Sequence, residues 1–186
     1  MPTTSTPTLD APERAGSLAV AGELAAVLDC VVLAPTDVAY DQARRVWNAD
    51  IDRYPAAIVA CRSAADVSAV LVWCTEHDVP VTVRSGGHNL AGTSVADGAV
   101  LIDTAAIDHV RFDTDAGTVT VGAGCRWGDV DRPAAELGVA VPAGVVSHTG
   151  VAGLTLGGAS ATSPDSSVQR STTCSRSRSS SPTAAS

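Results

Sequence analysis

Hydrophobic patterning stops at Gly158, and that break decides where this chain can build a core. Up to "LTLGG" the sequence alternates apolar runs with turn residues. Residues 159–186, "ASATSPDSSVQRSTTCSRSRSSSPTAAS", are largely Ser, Thr, Arg, Ala and Pro. A segment of that kind has no apolar face whose burial would offset the entropy of ordering it, so it is expected to be disordered. At the other end, "MPTTSTPTLDAPERAGS" has no basic stretch followed by an apolar run. It is not read as a secretory leader, and residues 1–17 are expected to be disordered as well. The folded part is therefore expected within residues 18–158. No stretch approaches the ~20 apolar residues of a membrane-spanning helix, so the sequence implies no membrane partner and a cytoplasmic location.

Composition narrows the partners. Apolar residues make up 45% of the chain but aromatics only 3%, so the core must be mainly aliphatic. The formal charge of −8 argues against nucleic acid, because phosphate binding needs clustered Arg or Lys, and the one Arg cluster lies in the tail. All 12 basic residues are Arg, as a GC-rich genome would produce. The five cysteines show no CxxC pair and read as buried thiols. His77, His88, His109 and His148 lack metal-ligand spacing with one another or with the cysteines, so no metal is expected.

The element order is α, β, α, β, a β-rich stretch, then α. Residues 18–29 read as a helix. Asp37 is expected to cap a short helix ending near Asn48. "AAIVAC" (56–61) reads as a strand and residues 63–78 as a helix, with Ser63 as N-cap and Asp66 three residues on. Strands are expected at 79–84 and 99–104, a hairpin at 110–124 turning at Asp115–Gly117, and a helix at 126–138 ending at Gly138. This is an α+β domain with short strands and flanking helices.

Three stretches could carry chemistry. In "VRSGGHNLAG" (83–92) a strand runs straight into a glycine pair. Such a turn can present successive backbone N–H groups in an anion-binding concavity, with Arg84 and Ser85 as further donors and His88 as a nucleophile; an ordinary strand-to-loop turn is the plain alternative. In "PAGVVSHTGVAGLTLGG" (142–158) five glycines in an apolar run imply close approach to the backbone, either by a long flat ligand or by a tight chain crossing. "VTVGAGCRWGD" (119–129) suggests a dinucleotide turn, but its third glycine comes one residue late and no acid follows about 20 residues on. Trp47, Trp73 and Trp127 read as packing residues.

Taken in order, these motifs resemble the FAD-binding domain of the vanillyl-alcohol-oxidase superfamily, most of all the FAD-linked oxidases similar to berberine bridge enzyme. The resemblance runs from "YPAAIVACRSAADVSAVLVWCTEHDVPVTVRSGGHNLAGTSVADGAVLIDT" through "VTVGAGCRWGDV" to "PAGVVSHTGVAGLTLGG", about residues 40–158. It implies the N-terminal part of a two-subdomain α+β FAD-binding domain with short mixed sheets. The turn at 84–89 (Arg84, Ser85, Gly86, Gly87, His88, Asn89) would hold the pyrophosphate through its N–H groups. Gly144, Val145, Thr149, Gly150, Val151 and Gly153 would lie beside the isoalloxazine and ribityl chain. His88 matches the histidine that such enzymes link to the flavin 8α-carbon. Relatives with a second link carry a cysteine where this chain has Val146, so a single link is expected.

The activity implied is hydride transfer from an alcohol, amine or sugar hydroxyl to flavin. In the family the base and much of the substrate pocket come from a second domain after the glycine run, so no catalytic residue is expected in residues 18–158 and the chain alone is expected to be inactive. A non-catalytic flavin-binding module or an inert gene fragment are the other readings. The tail reads as a change of reading frame near Gly158: a GC-favoured back-translation read in another frame permits "DNLLSVEVV", which resembles a strand the family places there. Cys174 would then be a chance thiol.

Overall fold

The computed structural model describes residues 11–157. In chain order these form α1 (Ala11–Val27), β1 (Val31–Leu33), α2 (Tyr40–Ala43), β2 (Ala57–Ala60), α3 (Ala64–Glu76), β3 (Val81–Arg84), β4 (Val100–Asp103), β5 (Val110–Asp113), β6 (Thr118–Val121), α4 (Trp127–Glu136) and α5 (Val151–Leu156). A four-stranded sheet has the spatial order β1-β2-β4-β3, and β5 and β6 form a separate hairpin. β4 lies parallel to both β2 and β3, while β1 runs antiparallel on the outer edge of β2. This is the α+β architecture expected from the sequence.

The two central strands, AIVA and VLID, are apolar at almost every position because both faces of the sheet are covered. Alternation sorts their side chains. Ala57, Val59, Val100 and Ile102 meet Ala21 and Leu24 of α1 and Val70, Trp73 and Cys74 of α3. Ile58 and Leu101 turn to the opposite face, where Tyr40 and Val95 cover them. A third cluster, Cys125, Trp127, Val130 and Val151, lies under the hairpin and starts a second subdomain.

Ser63 caps α3 as read: its hydroxyl accepts from the Asp66 N–H at 3.2 Å. The Asp66 carboxylate in turn accepts from the Arg62 N–H at 2.8 Å, a bond that holds its carboxyl below the usual range. Ser63→Ala should cost about 1 kcal/mol, seen as a melting temperature about 3 °C lower. An unchanged melt would show that the cap contributes nothing.

The structure corrects several boundaries. α1 begins at Ala11, so residues 11–17 are helical rather than disordered; residues 1–10 and the tail from Gly158 lie outside the described residues. β1, a three-residue edge strand paired with β2, is not among the expected elements, although the apolar run Cys30–Ala34 between Asp29 and Pro35 carries its signal. Asp37 does not cap α2. Its carboxylate closes a turn by accepting from the Ala34 N–H at 2.8 Å, and α2 stops at Ala43 instead of near Asn48. The reason is tertiary: the carbonyls of Ala43 and Arg45 accept from the Arg84 guanidinium, and the Trp47 N–H donates to the Gly87 carbonyl at 3.0 Å. These bonds draw the chain out of helical geometry. Finally, residues 151–156 form the short helix α5.

Candidate functional site

β3 ends at Arg84, and the chain enters the glycine turn at the seam between the two subdomains. Arg84 is 9% exposed. Its guanidinium donates to Asp103 at 2.6 Å and to the Arg45 carbonyl at 3.0 Å, and also bonds the Ala43 carbonyl. The Ser85 hydroxyl donates to the Ala123 carbonyl at 2.6 Å. Both side chains, read from sequence as further donors to a ligand, are therefore committed to holding the turn in place.

The two glycine-rich stretches meet. A Cβ on Gly86 would stand 2.3 Å from the Gly150 nitrogen, and one on Gly150 would stand 2.4 Å from the Gly86 nitrogen. No side chain fits there, so at this pair the chain crossing accounts for the glycines. Gly87 has a different reason: its φ of +68° is costly for any residue with a Cβ. Beyond it, the N–H groups of residues 86–91 donate to no other described residue. Of these residues Gly87 is buried and Gly86 and His88 are partly buried, whereas Asn89, Leu90 and Ala91 are exposed, so the turn presents free donors from the buried seam out to its surface. Asn89 is exposed, and its carbonyl oxygen accepts from the Thr93 N–H at 3.3 Å.

Residues 147–151 run antiparallel to 125–128. The Trp127 N–H donates to the Thr149 carbonyl at 3.0 Å, Gly128 to Ser147 at 2.7 Å and Val151 to Cys125 at 2.9 Å. This places His148 against His88, with His148 Nδ1 2.9 Å from His88 Nε2. Trp47 stacks on His88 from another side, ring centroids 5.3 Å apart and planes 24° apart. Partial burial holds the His88 imidazole below the ordinary histidine range, and the charges of His148 and Arg126 push the same way. A neutral imidazole at neutral pH is the nucleophilic form.

The remaining candidates divide. Val145 is 93% exposed beside the seam, and Gly153 has open space where a Cβ would be. Val151 turns into the Cys125–Trp127 cluster, so its side chain is core rather than a ligand contact. A Cβ on Gly144 would meet Leu154 at 2.5 Å, and Thr149 is half-buried in the antiparallel bridge. Gly122 and Gly124 serve another crossing. Side chains there would lie 2.1 Å from the Ile107 carbonyl oxygen and 2.0 Å from that of Thr104, which explains glycines without a dinucleotide turn.

Sequence reasoning assigned no role to Trp47 or His148 at this site. His148 had a signal, since it sits between Val145 and Thr149 in the second motif. Trp47, 58% exposed and nearly forty residues before the turn, had none. Among the described residues no group of three or more His, Cys, Asp or Glu could hold a metal ion, and no helix is long and apolar enough to cross a membrane.

Residues 55–173, more than half of the chain, match the family described as FAD binding domain. The chain belongs to that family. The FAD-linked oxidoreductase YgaK of Bacillus subtilis is 33% identical over 122 residues, 66% of this chain and 27% of that protein. The (R)-6-hydroxynicotine oxidase of Paenarthrobacter nicotinovorans is 31% identical over 127 residues, 68% of this chain and 28% of that one. The crystal structure of 6-hydroxy-D-nicotine oxidase from Arthrobacter nicotinovorans superposes with a TM-score of 0.66 at 29% identity, covering 68% of this chain and 28% of that one. The chain thus spans little more than a quarter of these relatives' length, a portion of the FAD-binding domain. The family is one of FAD-linked oxidoreductases, in line with the resemblance read from the three motifs.

Proposed function

We propose that residues 84–89 hold the FAD pyrophosphate through their backbone N–H groups, and that the flavin lies beside residues 144–153. We further propose that His88 forms a single covalent link to the flavin in an oxidase or dehydrogenase acting on an alcohol, amine or sugar hydroxyl. The observation that carries this reading is the run of unpaired N–H groups at 86–91, next to Gly87 in the left-handed region and a half-buried imidazole. When bound, the flavin supplies the two-electron acceptor. The chain's residues supply the rest: the turn offers donors for an anion, Arg84 and Ser85 hold it rigid, and Trp47 orients the His88 ring. Exposed Leu90 and Val145 give apolar surface suited to a flat ring system. Val146, where a cysteine would be needed, supports one link rather than two.

Gly87→Val should lose FAD binding while far-ultraviolet circular dichroism stays close to the parent. The strain of a β-branched residue at φ +68°, ~1–3 kcal/mol, falls on the turn alone. Its Cβ has ordinary room, the nearest atom being Arg84 Cδ at 3.4 Å. FAD titration of the purified chain tests this, and normal occupancy in the variant would remove the phosphate-cradle reading.

The tail is proposed to be out of frame from about Ala159, on its composition and its lack of apolar periodicity. Resequencing the locus across the Gly157 codon should recover a frame in which the family pattern resumes. The family match extends to residue 173 in the present frame, which weighs against a break as early as Ala159; an unambiguous read that keeps the present frame would overturn the proposal.

A further inference from the structure

Building on the proposed link at His88, we infer that His148 is a positioning residue for it: His148 Nδ1 accepts the Nε2 proton of His88, so that Nδ1 of His88 is the atom that joins the flavin. The two histidines come from different glycine stretches, and the Gly86–Gly150 crossing brings them together. The 2.9 Å between His148 Nδ1 and His88 Nε2 holds one shared proton. No side chain of the described residues hydrogen-bonds His88 Nδ1; the one backbone group acting on the ring belongs to His148, and it favours the protonated form. A neutral imidazole has one protonated nitrogen and one with a free lone pair. If His148 donated its own proton to Nε2, His88 would carry its proton on Nδ1, and both nitrogens would be blocked. Only the arrangement with His148 as acceptor leaves a lone pair free at the open atom. Trp47 fixes the plane of the ring. Its indole stacks on His88 and its backbone N–H donates to the Gly87 carbonyl at 3.0 Å; a ring flip would keep that plane but carry Nε2 away from His148, so the His88–His148 bond itself holds the edges in place.

The atoms balance as follows. The Nδ1–C8α bond forms and one C–H bond of the flavin 8-methyl group breaks. Once alkylated at Nδ1, His88 is cationic, and it returns to neutrality by passing its Nε2 proton to His148. His148 is exposed and can hand that proton to water. The electron pair of the broken C–H bond passes into the ring system and reduces it by two electrons, the pair of the Nε2–H bond stays on His88, and dioxygen, taken as the oxidant, accepts the ring's pair and two protons to give hydrogen peroxide.

Three measurements on the full chain test this. First, nitrogen-15 spectra of the imidazoles, which need no cofactor, should show His88 in the Nε2–H form in the parent and a loss of that preference in His148→Leu; an Nδ1–H form in the parent would overturn the inference. Second, acid-stable flavin should form about 100-fold more slowly in His148→Leu, the scale of a lost proton acceptor. His148→Gln, whose amide oxygen can accept the same bond, should recover part of that rate, with the rates of all three proteins compared at saturating FAD. Parent-like linking in His148→Leu would overturn the inference and leave the His88 link standing, whereas a parent without acid-stable flavin would overturn both. Third, the flavin peptide should carry its link on Nδ1, and a link on Nε2 would refute the assignment.

Discussion

Gly86→Val should unseat the seam between the two subdomains and lower stability by about 3 kcal/mol or more, at the upper end of the overpacking range. The expected Cβ position is 2.3 Å from the Gly150 nitrogen and 2.6 Å from its Cα. Those are backbone atoms held by the bridge from Val151 to Cys125, so no side chain can rotate out of the way. The crossing must separate, and the Ser85–Ala123 bond and the His88–His148 pair separate with it. A thermal melt should fall by about 10 °C. Gly150→Val should do the same, and the double variant should fall short of the sum because both remove one contact. This goes beyond the sequence reading, in which Gly86 and Gly87 served the ligand turn alone. Gly87→Val and Gly86→Val should therefore part company, the first losing cofactor and keeping its fold, the second losing both. A Gly86→Val melt within a degree of the parent would show that the seam yields more easily than its backbone contacts imply.

His88→Ala should lose all acid-stable flavin. The imidazole is the nucleophilic side chain that the turn itself carries: Ser85 is held by Ala123, Cys125 is fully buried with its thiol pushed up by burial, and His148, the other imidazole nearby, belongs to the facing segment. Loosely bound FAD should persist, because the N–H groups at 86–91 belong to the backbone and do not depend on the side chain at 88. The fold should change little, since His88 packs against the half-exposed Trp47 and the exposed His148 rather than the core. The measurement is flavin absorbance before and after trichloroacetic acid precipitation of parent and variant reconstituted in parallel. Acid-stable flavin in the variant would remove His88 from the proposed site.

What the sequence determined by itself was local or periodic. The apolar runs at 57–60 and 100–103 are buried on both faces, so they declare central strands whatever their neighbours. Ser63 with Asp66 declares a helix start because both bonds close within one turn of chain. The three glycine motifs declared the family because their order along the chain needs no geometry. Tertiary structure decided the rest, where a contact links residues far apart in sequence. α2 ends at Ala43 because Arg84 and Gly87, some forty residues on, take the carbonyls and the N–H that would have continued it. The glycines at 86 and 150 look alike as ligand turns, and only their mutual approach shows that each leaves room for the other's backbone. Trp47 reads as one more apolar residue until the fold sets it on His88. His148 acquires its partner at 2.9 Å only because the second subdomain folds back along residues 125–128. Periodicity and capping act within a turn or a strand, so they are legible in one dimension; a site assembled at a seam is not.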